Sequence, residues 1–425
     1  MDRSPLYTLI PMHLLLMPLG SSGDVHPFLG LGRALAARGH DVTLLTNGHF
    51  RPAAERAGLT FVEIGTEEQY QELIRNPDLW HPMRALRAVF VPEMLEFNRT
   101  AFAQIRERTV PGKTVVVAGS LALGARIARE VLDIKLVTVH LQPGIMRSPI
   151  NPPVFGPRKL PAWFPPWLVR GVYWLGDHTF IDPIVRPAIE PLRHDLGLRP
   201  VRRYMNKWWH SPDRILALFP KWFGDGPDWP PQVRHAGFPL YDDRTAQPLP
   251  PPVQKFLEAG SPPVVVTFGT GMIQGERYFT AAVDALRLSG RRGLLLTPCR
   301  EQIPANLPPS VLHVDYLPFS QILPHALALV HHGGVGTCAQ GLAAGVPQVV
   351  MPLAHDQPDN IDRLARLGVA RDLWPKRFTG ANLARVLDEL LANPQTAPAC
   401  AEIAAKLRDV DSLTTACLAI EELQA

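Results

Sequence analysis

The stretch that most constrains this chain is V-H-H-G-G-V-G-T-C-A-Q-G-L-A-A-G-V-P-Q-V-V-M-P-L-A-H-D-Q-P-D-N, residues 330–360. The apolar run 326–330 has strand length and ends in two histidines. Gly333, Gly334 and Gly336 then allow a tight turn and close approach to a ligand. Residues 337–344 have helical composition and stop at Gly345, with Pro347 just beyond. Residues 349–351 form the next strand, closed by Pro352. A glycine turn feeding a helix N-terminus is an anion site, because free N–H groups and the helix dipole point at the ligand. His332 stands beside it as a further donor, and His331, one residue earlier on a strand, points to the other side and packs. Asp356, Gln357 and Asn360 follow the next strand, so they share the same carboxyl edge of the sheet and suit a hydroxyl-rich group. A plain strand–helix–strand crossover explains the glycines but not His332, Thr337 and the Asp-Gln pair together.

The rest of the chain reads as two α/β halves. The first opens with a buried strand at 14–17 and the loop P-L-G-S-S-G-D-V-H-P-F, then a helix over about 29–38 and a strand at 41–46. Helix and strand alternate again through 50–64, 115–128 and 136–140, which implies a parallel sheet covered on both faces. Residues 143–235 differ: prolines are dense and seven of the nine tryptophans fall there. Residues 241–262 read as a linker, and a second alternation runs from V-V-V-T-F-G-T (264–270) onward. The expected division is residues 1–240, a linker at 241–262, a second domain at 263–400, and a last helical segment at 401–425. Two doubly wound, Rossmann-like domains would face a central crevice and bind ligands at their strand carboxyl ends. A phosphate contact on one side and a polyol contact on the other describe a nucleotide sugar.

The element at 330–360 resembles the donor-binding signature of the nucleotide-sugar-dependent glycosyltransferases of plant and bacterial natural products, and the two-half architecture resembles their GT-B fold. The resemblance covers the whole chain, most specifically 19–47 and 312–370. It implies an acceptor-binding first half, a donor-binding second half, and a final helix packing back on the first half. Four segments, N-P-D-L-W-H-P (76–82), G-S-L-A-L-G-A-R-I-A-R-E (119–130), W-W-H-S-P-D (208–213) and D-W-P-P-Q-V-R-H-A-G-F-P-L-Y-D (228–242), resemble the rhamnosyltransferase subgroup of rhamnolipid synthesis. H-H-G-G-V-G-T and V-T-F-G-T follow the broader family instead.

Transfer of a sugar to an alcohol needs a base, an in-line geometry and stabilisation of the leaving diphosphate. Asp24, in G-S-S-G-D-V-H-P-F, matches the family's Asp-type base, although an acid there would equally cap the following helix. His26 is the rival base. The Asp that partners a His-type base is absent, since Gly119 and Ser120 occupy its place. The leaving-group cradle comprises His332, Gly334, Val335, Gly336 and Thr337, with Ser21 reaching across and Thr270 at the family's diphosphate-contacting hydroxyl. The resemblance implies that Tyr316 stacks on the nucleotide base and that Leu317 reads its edge through the backbone, with Asp356 and Gln357 expected to hold the sugar. No metal ligand set and no D-x-D motif in a metal-binding context appear, so the expectation is a metal-independent enzyme without a cofactor, its donor a dTDP- or UDP-hexose.

The expected reaction is inverting transfer of a hexose, rhamnose or glucose, to a lipophilic hydroxylated acceptor, a hydroxy-fatty-acid lipid above others. Sterol, flavonoid or polyketide acceptors are the first alternative, a non-catalytic nucleotide-sugar-binding subunit the second, and an epimerase or phosphorylase the third. A net charge of +4 over 425 residues argues against a nucleic-acid partner while allowing peripheral contact with the inner membrane face. The four cysteines show no C-x-x-C spacing and suit a reduced, cytoplasmic core. Pro11 and His13 break the first apolar run, so a signal peptide is not expected, and residues 1–11 read as an extension before Met12. No apolar run reaches membrane-spanning length.

Overall fold

The structure, a computed structural model, describes residues 11–90, 93–157, 159–161, 163–242 and 248–424. The proposed extension falls outside them except for Pro11, as do residues 243–247 of the expected linker. Seven parallel strands form the first sheet: β1 (His13–Met17), β2 (Asp41–Thr46), β3 (Thr60–Glu63), β4 (Thr114–Gly119), β5 (Lys135–His140), β6 (Arg214–Ala217) and β7 (Val233–His235), in the order β3-β2-β1-β4-β5-β6-β7. Six more form the second: β8 (Val264–Thr267), β9 (Gly293–Leu296), β10 (Val311–Val314), β11 (Ala328–His331), β12 (Gln348–Val350) and β13 (Ala370–Asp372), in the order β10-β9-β8-β11-β12-β13. The central strands are near-continuous apolar runs because helices cover both faces: Leu14, Leu15, Leu16 and Met17 are fully buried.

Strand order reverses between β1 and β4 in one sheet and between β8 and β11 in the other. Loops leaving adjacent strands there diverge to opposite faces and open a crevice. The loop after β1 leads into the helix that carries Asp24, and the loops after β8 and β11 carry Thr270 and His332.

Three element boundaries differ from the sequence reading. The first helix runs from Ser22 to Ala37, seven residues earlier than expected, and contains Pro27. A capping box, Ser21 with Asp24, starts it upstream of the proline. The helix after β11 starts at Val335, two residues earlier, with Gly334 as a side-chain-free N-cap. The terminal helical segment is two helices, Thr396–Arg408 and Ser412–Glu421, the second capped by Asp411. That last helix buries Ala416, Cys417 and Ile420 with Leu14, Leu31 and Leu35 of the first half. Glu421 accepts from Arg38 at 2.6 and 2.7 Å and contacts His40 Nε2 at 2.9 Å.

Candidate functional site

Between the two halves lies a cavity of about 980 Å³. The sequence-chosen residues that line it are Ser21 and Asp24 from the first half, and Thr270, Tyr316, Leu317, His332, Gly334, Val335, Gly336, Thr337, Asp356 and Gln357 from the second. Asn360, grouped with Asp356 and Gln357 on sequence, is instead fully buried, its amide donating to Gly333 O at 2.9 Å and Asp356 Oδ2 at 2.6 Å.

Asp24 is the third residue of its helix and half-buried. Its Oδ2 accepts from Ser21 N (2.8 Å) and Ser21 Oγ (3.1 Å), which completes the capping box. Oδ1 has no hydrogen-bond partner among the described residues. Burial raises the Asp24 pKa to about 6 against the lowering effect of the Ser21 bonds, and Asp356 and His355 of the opposite half act on it across the cavity. Gly20 makes room for it: φ is +137°, and a Cβ there would lie 2.2 Å from Oδ2. Ser21, expected to reach the diphosphate, spends its hydroxyl proton on Asp24.

On the opposite wall, His332 is buried between Gly269 and Gly334, where a Cβ would approach its ring to 2.8 and 2.6 Å. Its Nδ1 is fully buried without a hydrogen-bond partner. Burial lowers its pKa to about 4, so the ring is a neutral donor at pH 7. His331 holds the turn: Nδ1 accepts from Gly333 N at 3.1 Å and Nε2 meets Gln348 Oε1 at 2.9 Å. Gly333 has φ +94°, and a Cβ there would lie 2.7 Å from Val350 Cγ1, so no side chain fits. The first N–H groups of the Val335–Ala343 helix thus open beside His332, as an anion site requires. Asp356, its pKa also raised to about 6 by burial, accepts from Asn360 Nδ2 at 2.6 Å. Gln357 Oε1 accepts from Leu353 N (2.7 Å) and Ala354 N (3.2 Å) and so shapes the loop, leaving its amide NH2 for a ligand. Tyr316 is half-buried and Leu317 buried, and both line the cavity.

Two features escape the sequence reading. Trp80 crosses from the first half, donates Nε1–H to Gly271 O at 3.2 Å, and sets its ring edge-on to His332 (6.2 Å) and His355 (5.8 Å). His355 itself, at φ +58°, contacts Leu79 O through Nε2 at 2.8 Å. The second feature is a chain at the first sheet's switch point: Ser120 Oγ to His140 Nδ1, and His140 Nε2 to His210 Nδ1, each 2.9 Å. Burial keeps both rings neutral, lowering His140 strongly and His210 to about 4. Ser120 lines the cavity where the family's partner acid would stand.

Comparison with known proteins agrees with this architecture. Residues 14–148 match the glycosyltransferase family 28 N-terminal domain, and residues 296–415 match the erythromycin biosynthesis protein CIII-like C-terminal domain. An O-mycaminosyltylonolide 6-deoxyallosyltransferase of Streptomyces fradiae is 28% identical over 424 residues, covering 97% of each chain. A sterol 3-beta-glucosyltransferase of Arabidopsis thaliana is 26% identical over 389 residues, covering 87% of this chain and 59% of that protein. The solved glycosyltransferase of kitacinnamycin superposes with a TM-score of 0.75 at 20% identity, covering 98% of this chain and 100% of its own. Sheets, switch-point loops, matched domains at both ends and full-length relatives converge, and the chain is a nucleotide-sugar-dependent glycosyltransferase of the GT-B superfamily.

Proposed function

We propose that this enzyme transfers a hexose, rhamnose or glucose, to a hydroxyl of a lipophilic acceptor with inversion at the anomeric carbon, the acceptor oxygen bonding to that carbon as its bond to the diphosphate breaks. Residues 1–240 bind the acceptor and residues 263–400 the donor. Asp24 takes the hydroxyl proton at Oδ1 while its Ser21 bonds hold the carboxylate in place. His332 and the Val335–Thr337 N–H groups receive the charge that develops on the leaving diphosphate, with no metal ion required. Thr270 adds a hydroxyl to the diphosphate, Tyr316 and Leu317 hold the dTDP or UDP base, and Asp356 and Gln357 hold the sugar.

The observation that carries this reading is a carboxylate with one uncommitted oxygen on one wall of a two-walled cavity, the other wall holding a neutral histidine beside a helix N-terminus. Leu73, Ile74, Leu86, Phe90, Met94 and Phe97 line the acceptor side. A hydroxy-fatty-acid lipid suits such a wall, and each buried methylene contributes about 0.8 kcal/mol. The names of the relatives favour a second reading, a sterol or polyketide acceptor. Release of nucleoside diphosphate decides between them. It is measured over a donor panel with a 3-hydroxy-fatty-acid dimer, a sterol or a macrolide aglycone, each with and without EDTA. Turnover on the lipid, insensitive to EDTA, is expected. Preference for the sterol or macrolide overturns the lipid acceptor, and no release with any acceptor favours a non-catalytic subunit.

A further inference from the structure

Among the described residues, eight of the sixteen large apolar side chains that stand exposed lie within residues 150–175. They include Phe155 (63% exposed), Trp163 (78%), Trp167 (67%), Trp174 (53%) and Leu175 (55%). A surface helix of a globular protein turns its apolar stripe inward. The Pro166–Gly176 helix does the reverse: Val169 is its buried residue, while Trp167 and Trp174, two turns apart on one face, point outward with Arg170. Large apolar side chains left exposed in such number within one segment mark an interaction surface.

Charge identifies the partner. Residues 141–210 hold ten Lys and Arg against four Asp and Glu, a net of +6 where the whole chain carries +4. Of the four acids, Asp177 and Asp182 are buried, and Asp177 is held by Arg147 and Arg203. Arg170, Arg199, Arg202 and Lys207 remain exposed. Tryptophan bodies with basic neighbours suit the headgroup layer of an anionic bilayer, where the ring sits at the apolar boundary and the cation meets lipid phosphate. The patch is also continuous with the cavity: Phe155 belongs to both, and Phe180 and Ile181, which continue the helix, line the cavity wall.

We propose that residues 155–175 are a docking face for an anionic lipid bilayer, which seats the cavity mouth at headgroup level so that an apolar acceptor enters without crossing water. The docking itself is tested without donor or acceptor, so its failure leaves the transfer reading intact, and the reverse holds as well.

Full-length protein is sedimented with vesicles of phosphatidylcholine alone or containing about a third phosphatidylglycerol. The anionic vesicles are expected to bind at least about tenfold better, with the gain lost in high salt and tryptophan emission shifted to the blue on binding. Combined Trp163→Ser, Trp167→Ser and Trp174→Ser substitutions, all at exposed sites, should abolish binding while turnover on a soluble acceptor and the melting temperature stay near wild type. Arg170→Glu with Arg202→Glu keeps the aromatic face and should remove only the anionic preference, an arm that stands even if the triple variant misfolds. Equal or no binding to the two vesicle types overturns the proposal, as does a triple variant that binds like wild type. Self-association in light scattering that the triple variant abolishes, without vesicle binding, makes the face a protein interface and also overturns it.

Discussion

Replacing Asp24 by Asn separates its two roles. Both Ser21 bonds end on Oδ2. The Asn carbonyl oxygen can accept them, so the capping box and the start of the first helix survive. The lost property is proton acceptance at the free oxygen. General-base removal costs about 100-fold to 10,000-fold in rate, so kcat should fall by at least about 100-fold, while donor affinity should not fall and should rise by up to about tenfold above pH 6, where the charge beside the diphosphate is removed. The pH profile adds a second signature. With a pKa of about 6, the wild-type carboxylate is charged above neutrality and mostly protonated at pH 5. Wild-type rate should therefore fall about tenfold between pH 7.5 and pH 5, and the residual Asn activity should lack that limb. The assay is transfer at donor concentrations well below KM across this range, where the rate follows the pKa of the free enzyme. A variant within about threefold of wild type, or one that keeps the acid limb near pH 6, removes Asp24 from proton transfer and turns attention to the Ser120–His140–His210 chain.

Other perturbations address the remaining parts. His332→Ala deletes a preorganised donor, and transition-state stabilisation should drop by about 3 kcal/mol, read as kcat/KM for the donor; unchanged kinetics would separate the histidine from the diphosphate. Gly20→Ala sets a methyl against Asp24 Oδ2 and forces a side chain into φ +137°. It should cost about 1–3 kcal/mol in thermal stability and most of the turnover, with donor binding spared in calorimetry. Shortening a 3-hydroxyacyl acceptor by four carbons should cost about 3 kcal/mol in kcat/KM if the chain is fully buried, and a flat series rejects the acyl pocket.

How much of this is legible in the sequence depends on the range of the interactions. The glycine turn at 333–336 and the apolar strands announce themselves because their constraints are local: positive φ at Gly333, burial on both faces at 14–17. The first helix begins earlier than its sequence suggests because Pro27 looks like a barrier to it, whereas the Ser21–Asp24 box three residues apart nucleates it upstream. Trp80 is hidden because its partner Gly271 lies 191 residues away and its meaning exists only once the halves meet. Ser120, His140 and His210 lie at the ends of different elements, and the parallel pairing of β4 with β5 brings the first two together.

The electrostatics of the cavity lead to a final prediction. Arg147 is the one Lys or Arg among its described lining residues, and Asp177 accepts from it in a buried ion pair. Burial holds the His332 pKa at about 4 and lowers that of His355, while Asp24 and Asp356 both sit near pKa 6. A sugar diphosphate therefore brings its negative charge to N–H dipoles and neutral imidazole, beside two carboxylates, with no uncommitted cation among those lining residues to screen them. A nearby anion disfavours the carboxylate form, so donor binding raises both pKa values further. By linkage, the bound state takes up protons, and donor affinity must be highest below pH 6 and weaken as pH rises through the two pKa values. A rise of about one unit in either carboxylate changes affinity about tenfold across that window. The trend opposes that of turnover, which needs Asp24 charged, so the acid limb of kcat should lie at higher pH than that of the free enzyme. Calorimetry with intact donor, whose diphosphate diester keeps its charge from pH 5 to 8, run in two buffers of different ionisation enthalpy, measures the proton uptake directly. Donor affinity that is flat over this range, with no proton exchanged, would mean that the diphosphate lies too far from Asp24 and Asp356 for either to act at the reaction centre as drawn.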